Sequence, residues 1–161
     1  MPAYLDRMPA GIPGRVSRTH GTSLEPILLG SGMLFGSPGK VVNGKLVPLA
    51  DGDVVDVIYG FLASQYPTQS DMADLGGGAA SASGSAPADT IQSVMRRGYM
   101  TVRIIGGAPA KDAAVYIVTA ESAGAVGSLS AASGAGLAAI PGCTFMGEAD
   151  GDGNVEISFN I

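Results

Sequence analysis

Few residues in this 161-residue sequence could perform nucleophilic, acid–base or metal chemistry. The single histidine, His20, lies in the polar segment 19–22, which is typical of an exposed loop. The single cysteine, Cys143, has apolar neighbours, and a reactive thiol needs a polar setting that lowers its pKa. A buried structural thiol is therefore the favoured interpretation, and one cysteine cannot form a disulfide within the chain.

The acidic residues form two groups that are candidates for a cation site or for paired catalytic carboxylates. Residues 150–154 begin like an EF-hand calcium loop, which requires Gly at its sixth position and Glu at its twelfth. This sequence has Val155 and Ile161 there, so an acidic hairpin turn is favoured. Residues 51–56 contain three aspartates before an apolar run, and carboxylates near a turn are usually solvated. Neither group predicts a metal ion or catalysis.

The glycine-rich stretches also carry no known catalytic pattern. The sequence has no GxSxG elbow for a hydrolase nucleophile. It has no Gly-Lys-Ser/Thr phosphate loop and no GxGxxG between a strand and a helix. We therefore predict a protein that is not an enzyme and that binds no cofactor.

Charge and hydropathy argue against nucleic acid and membrane as partners. The net charge is -5 and the pI is about 4.6, whereas a sequence-independent nucleic-acid binder needs clustered cations. The N-terminal region alone is mildly basic, since Arg7, Arg15 and Arg18 outnumber Asp6. No apolar run reaches the roughly 18 residues of a membrane span. The first residues also lack the apolar core of an export signal, so synthesis and folding in a cytoplasm are expected.

Composition and turn signals predict an all-β fold. The chain has 25 glycines and 10 prolines, which disfavour helix interiors. Asn43-Gly44 lies between two β-prone runs and predicts a type I′ hairpin. Residues 54–63 and 98–105 read as strands, and residues 154–161 alternate apolar and polar side chains. The expected fold is a single-domain β-sandwich or β-barrel, jelly-roll-like, with an extended N-terminal arm and Gly/Ala/Ser-rich loops.

The domain organisation follows from where the composition changes. Residues 1–19 contain three prolines and read as an extended arm that precedes a β domain of residues 20–161. Residues 70–89 and 121–142 are rich in Ala, Gly and Ser and read as long loops. Residues 90–97 are compatible with one helical turn.

Five segments of the chain resemble the structural cement, or decoration, proteins of tailed-bacteriophage heads. They are MPAYLDRMPAG (1–11), KLVPL (45–49), DVIYGFL (56–62), YPTQS (66–70) and EISFNI (156–161). Together they span nearly the whole chain, from its first residues to its last. In the family a basic residue often precedes the YPTQS block, whereas residues 63–65 are neutral here.

The resemblance implies a non-enzymatic virion protein that binds the outer surface of the head. Its partners would be the major capsid protein and neighbouring copies of itself, as a dimer or a trimer. Residues expected to contact the capsid or a partner are Tyr4, Arg7, Arg15, Arg18, Tyr66, Pro67 and Gln69.

Other functions are left open by the residues themselves. A tail or baseplate β-module would share the composition. A carbohydrate-binding or adhesive module usually needs exposed aromatic side chains, and the chain has no Trp. An enzyme with an unfamiliar site is a further alternative.

Overall fold

β-Strands make up nearly all of the regular secondary structure of the described residues. A computed structural model of the protein describes residues 11–64 and 84–161. The strands are β1 (Val16–Leu29), β2 (Met33–Leu34), β3 (Pro38–Val42), β4 (Lys45–Pro48), β5 (Gly60–Ala63), β6 (Ser85–Ala86), β7 (Ile91–Arg103), β8 (Ala114–Val118), β9 (Leu129–Ser130), β10 (Leu137–Phe145) and β11 (Asn154–Phe159). Short 3-10 helices cover Val55–Val57 and Glu121–Ala123, and these described residues include no helix long and apolar enough to cross a membrane. The prediction of an all-β domain of sandwich or barrel type is confirmed.

Strand β7, which is 13 residues long, belongs to two closed rings of strands. In the first ring β7 pairs with β1, β1 with β4, β4 with β3, β3 with β5, and β5 again with β7. Four of these strands each contribute one fully buried side chain to a common cluster: Leu29, Leu46, Leu62 and Val94. The small sheet formed by β2 and β6 adds two more residues to that cluster.

The second ring uses the C-terminal half of β7. It continues through β11, β10, β8 and β9, and β9 returns to the end of β7 through a parallel bridge between Leu129 and Ile104. The backbone N–H of Ile105 donates to the carbonyl of Leu129 at 2.8 Å and closes this ring. Buried side chains from β7, β8, β10 and β11 form its core, including Val102, Val115, Phe145 and Ile157.

Local sequence signals for the hairpin and for the last strand are confirmed. Asn43 and Gly44 both have positive φ, 51° and 76°, as a type I′ turn requires, and they join β3 to β4. In β11 the apolar residues Val155, Ile157 and Phe159 are buried and the residues between them are not. The period-two pattern therefore identified the core face of β11.

The prediction of one continuous strand over residues 54–63 is wrong. Residues Val55–Val57 form a 3-10 helix, and only Gly60–Ala63 is a strand. Side chains three positions apart share one side of a 3-10 helix. Val55 and Ile58 accordingly pack on the core while Asp56 stays exposed, an arrangement that a strand would not allow.

Four further boundaries differ from the prediction because strand pairing decides them. Residues 90–97 do not form a helical turn, because β7 already begins at Ile91 and pairs with β1 and β5. The predicted loop 121–142 contains β9 and the first part of β10. Within the predicted loop 70–89, the described part includes β6. At the N-terminus, β1 begins at Val16, inside the predicted arm of residues 1–19.

Candidate docking surface

The residues with the most reactive side chains do not form a reactive site. Cys143 is buried on β10, and its burial raises the pKa of the thiol, which keeps it neutral and unreactive. His20 is exposed in a bulge of β1, where the register with β7 shifts between Arg18 and Ser23. The hydroxyl of Thr22 donates to the carbonyl of Arg18 at 2.6 Å and closes that bulge. The interpretation of a buried thiol and an exposed histidine is confirmed.

The acidic residues stabilise turns. One carboxylate oxygen of Asp150 accepts the backbone N–H groups of Asp152 and Asn154 at 3.0 and 2.8 Å. The carboxylate of Asp53 accepts the backbone N–H of Ala50 at 2.7 Å and also pairs with a lysine. In the two ranges 11–64 and 84–161, no group of three or more His, Cys, Asp or Glu residues is placed to hold a metal ion.

The segment before β1 is fastened to the body of the domain. The backbone N–H of Gly14 donates to the carbonyl of Thr101 at 2.8 Å, and the N–H of Ser64 donates to the carbonyl of Gly14 at 2.8 Å. The N–H of Thr101 donates to the carbonyl of Arg15 at 2.9 Å. Gly14 thus joins the residue after β5 to the C-terminal part of β7. An arm that reaches away from the body can include only residues before Gly14.

Arg18 is held against the sheet by two neighbours. Its guanidinium donates to the two carboxylate oxygens of Glu156 at 3.0 and 2.8 Å, and it stacks over the ring of Tyr99 at 4.3 Å. The hydrogen bonds to Glu156 raise the pKa of Arg18. About half of the Arg18 side chain, 49%, stays exposed. The Arg18 side chain is therefore engaged with Glu156 and Tyr99 and is also partly accessible to a partner.

A groove of about 990 Å³ opens between the two rings of strands. Its walls come from the start of β1, from residues 32–38, from the end of β5, from the end of β7 and from residues 125–129. Arg15 and Arg103 contribute the positive charge of the groove. Apolar side chains dominate the remainder of the lining.

Four large apolar side chains in this groove are exposed to solvent. They are Ile12, Leu24, Leu34 and Ile105, with exposed fractions of 63%, 47%, 60% and 61%. Clustered exposed apolar side chains on a soluble domain mark a surface for another molecule, whereas scattered single ones do not. We define these four residues with Arg15 and Arg103 as the groove surface.

The structure places only part of the predicted contact set. Arg15 lies in the groove wall and Arg18 lies beside Glu156. The other predicted contact residues, Tyr4, Arg7, Tyr66, Pro67 and Gln69, lie outside the described residues. Sequence reasoning missed the groove residues Ile12 and Ile105. A sequence signal exists only for Ile12, which lies between Gly11 and Pro13, where a turn rather than core is expected.

Comparison with known proteins identifies the family to which this all-β domain belongs. A family model described as "Structural cement protein (E217 gp24/Pam3 gp6)" matches residues 2–160. The chain belongs to the structural cement protein family. A comparison with curated proteins found no match.

The fold of this cement protein is also similar to a solved structure. A chain from "The capsid of Myoviridae Phage XM1" is 21% identical, with a TM-score of 0.69, and the similarity covers 99% of this chain and 96% of that chain. At that identity the likeness demonstrates a shared fold over the whole domain. The family membership identifies a virion structural protein with a capsid cement role, as predicted from the sequence.

Proposed function

We propose that this cement protein binds the outer surface of an assembled phage head and stabilises contacts between major capsid subunits without performing a reaction. The observation that carries the proposal is the family match, which spans nearly the whole chain. The net charge of -5 supports the outer surface, because the interior of a filled head holds DNA, which is a polyanion. An acidic domain is repelled there.

Cementing stabilises a shell because the binding equilibrium of the cement protein is linked to the assembly equilibrium of the shell. A ligand that binds the assembled shell but not the loose subunits stabilises the shell by its binding free energy. A standard protein–protein interface buries about 1,600 Å² in total. Even a micromolar contact corresponds to about 8 kcal/mol at standard state. A shell repeats that contact at each occupied position.

The proposed contacts with capsid subunits or neighbouring copies include two residues of the described body. Arg15 lies immediately before β1 and Arg18 lies near its start, and both are exposed, which supports a role in docking. The remaining contact residues proposed are Tyr4, Arg7, Tyr66, Pro67 and Gln69. Neighbouring copies would associate as dimers or trimers, and the arm before Gly14 would reach one of them.

The proposal is tested with heads that lack this protein. Purified protein is added back, bound copies are counted by gel densitometry and located by cryo-EM, and release of DNA is followed during heating and osmotic shock. We expect copies on the exterior and DNA release at a higher temperature than in bare heads. If no copies bind the exterior and bare heads are equally resistant, the proposal is wrong.

A further inference from the structure

We propose that Asn43 is a site of spontaneous deamidation, in which the backbone nitrogen of Gly44 displaces ammonia from the Asn43 side chain, and that the reaction loosens the hairpin of β3 and β4. The inference is independent of the proposed function, because it concerns a covalent modification of the domain itself. It uses only residues that the structure describes.

The turn between β3 and β4 leaves both reacting groups accessible. Asn43 and Gly44 are exposed, and nothing lies within 4 Å of a Cβ added at Gly44. In a two-residue hairpin the flanking residues, here Val42 and Lys45, form the last pair of the ladder, so strand pairing does not require the N–H of Gly44. Glycine also has no side chain to hinder the approach of its nitrogen to the carboxamide of the preceding residue.

The chemistry needs no cofactor, oxidant or reductant. The nitrogen of Gly44 loses its proton and bonds to Cγ of Asn43, the bond from Cγ to the carboxamide nitrogen breaks, and ammonia leaves with that proton. The product is a succinimide ring. Water then opens the ring at Cγ, which gives an aspartyl residue at position 43, or at the main-chain carbonyl, which gives an isoaspartyl residue whose backbone runs through Cγ.

The chain contains two other asparagines, Asn154 and Asn160, and neither is suited to this reaction. Each is followed by a β-branched residue, whose side chain crowds the attacking nitrogen. The carboxamide nitrogen of Asn154 donates to the carboxylate of Asp150 at 3.2 Å, and that of Asn160 donates to the carbonyl of Arg96 at 3.0 Å. Among the three asparagines, Asn43 alone combines exposure with a following glycine.

The reaction changes the turn that sets the register of β3 and β4. The type I′ turn fits because Asn43 and Gly44 both have positive φ, and it pairs Val41 with Leu46 across the hairpin. An isoaspartyl residue adds one carbon to the backbone, so the turn no longer matches the two strands. Leu46 is fully buried in the core of the first ring, so a shift of the hairpin loses packing as well as pairing. Deamidation therefore weakens this hairpin.

The inference is tested by incubating the purified full-length protein at mildly alkaline pH and withdrawing samples over several weeks. Peptides that contain Asn43, Asn154 or Asn160 are quantified by mass spectrometry, because exchange of NH2 for OH raises their mass, and a sample taken at the start corrects for reaction during digestion. The variant Gly44→Ala is incubated in parallel. It carries only the backbone strain of a φ of +76°, because the added Cβ meets open space.

We expect conversion of Asn43 to be at least about tenfold faster than that of Asn154 and Asn160, which corresponds to a barrier lower by about 1.4 kcal/mol. Gly44→Ala should slow the reaction at position 43, because its Cβ crowds the nitrogen. Equal rates at the three asparagines would overturn the inference, and so would a rate unaffected by Gly44→Ala. The comparison among asparagines is made within one chain, so it decides the matter even where the variant does not fold.

A second measurement tests the loosening of the hairpin. Ion exchange separates the isoaspartyl protein from the native protein, because deamidation adds one negative charge to a net charge of -5. The matched control is Asn43→Asp, which adds the charge without lengthening the backbone and tolerates positive φ. We expect amides of β3 and β4 to exchange hydrogen about tenfold faster in the isoaspartyl protein than in this control, and amides of β11 to exchange equally. Equal exchange in β3 and β4 would overturn the loosening.

Discussion

Arg18 of β1 and Glu156 of β11 form a bidentate ion pair across the intervening strand β7. Both carboxylate oxygens accept hydrogen bonds from the guanidinium, at 3.0 and 2.8 Å, and Tyr99 of β7 lies beneath at 4.3 Å. The first ring ends and the second ring begins along this part of β7. A side chain that the sequence indicated for docking therefore also connects three strands.

We predict that Arg18→Ala lowers the free energy of unfolding by about 1 kcal/mol. Exposed ion pairs contribute about 0.2–1 kcal/mol and an exposed cation–π contact about 0.5–1 kcal/mol. Arg18→Lys should recover only part of this loss, because an ammonium cannot make the bidentate contact. Urea denaturation measures both, and a double-mutant cycle with Glu156→Gln isolates the pair. A coupling energy of zero would contradict the structural role.

The all-β class and the buried faces of strands with alternating apolar and polar residues were predictable from the sequence, because they depend on local patterns. The type I′ turn needs only Asn43-Gly44, and β11 needs only its alternation. The closure of two rings through β7 was not predictable, because it depends on a parallel bridge between residues distant in sequence, Ile104 and Leu129. Pairing with β8 also makes a strand of residues 137–139, although their composition indicates a loop.

The aromatic contact between Phe61 and Phe159 joins β5 to β11 within the larger core. Their ring centroids are 5.1 Å apart and the rings meet at 76°, an edge-to-face geometry. We predict that Phe61→Ala costs about 3–5 kcal/mol, because a fully buried ring is removed and leaves a cavity. Phe61→Leu should cost less than about 2 kcal/mol, since most of the volume is retained. Chemical denaturation measures the losses, and equal values for the two variants would contradict this packing.

The docking surface was less predictable than the fold. Arg15 and Arg18 were identifiable as basic residues near a proline-rich segment, and the structure places Arg15 in the groove. The exposure of Ile105 was not identifiable, because an aliphatic residue at the end of a predicted strand normally belongs to the core.

Asp53 makes the stability of the domain depend on pH in the acid range. The backbone N–H of Ala50 and, next, the ammonium of Lys40 lower the pKa of this carboxyl below its ordinary value of 3.8. A lowered folded-state pKa contributes stability that is present above the unfolded-state pKa and is lost as the pH falls through the folded-state pKa. The expected contribution at neutral pH is about 1 kcal/mol or less, because the pair is near the surface.

This pH dependence predicts how Asp53→Asn should behave. The variant should be less stable than the native protein at pH 7, and the difference should shrink as the pH falls below about 4. Thermal unfolding across pH 2–7 measures it, and Asp152→Asn controls for the change in net charge. A difference that stays constant down to pH 2 would contradict the assigned role of Asp53.

Gly14 is the position at which the arm is attached to the body, and its substitution tests that attachment. Its φ is +84°, and an added Cβ would lie 2.6 Å from the Cβ of Phe35 and 2.9 Å from the N of Gly36. Gly21 has a similar φ of +77° but has nothing within 4 Å of an added Cβ. Gly21→Ala therefore carries only the backbone penalty of about 1 kcal/mol, and Gly14→Ala adds a steric clash.

We predict that Gly14→Ala destabilises the domain by about 1–3 kcal/mol more than Gly21→Ala does. Because the amides of Ser64 and Thr101 donate to the carbonyls of Gly14 and Arg15, their hydrogen exchange should accelerate in Gly14→Ala and remain slow in Gly21→Ala. Hydrogen exchange measured by NMR reports on each amide separately. Equal exchange rates in the two variants would mean that the close approach of Gly14 to Phe35 does not hold the arm to the body.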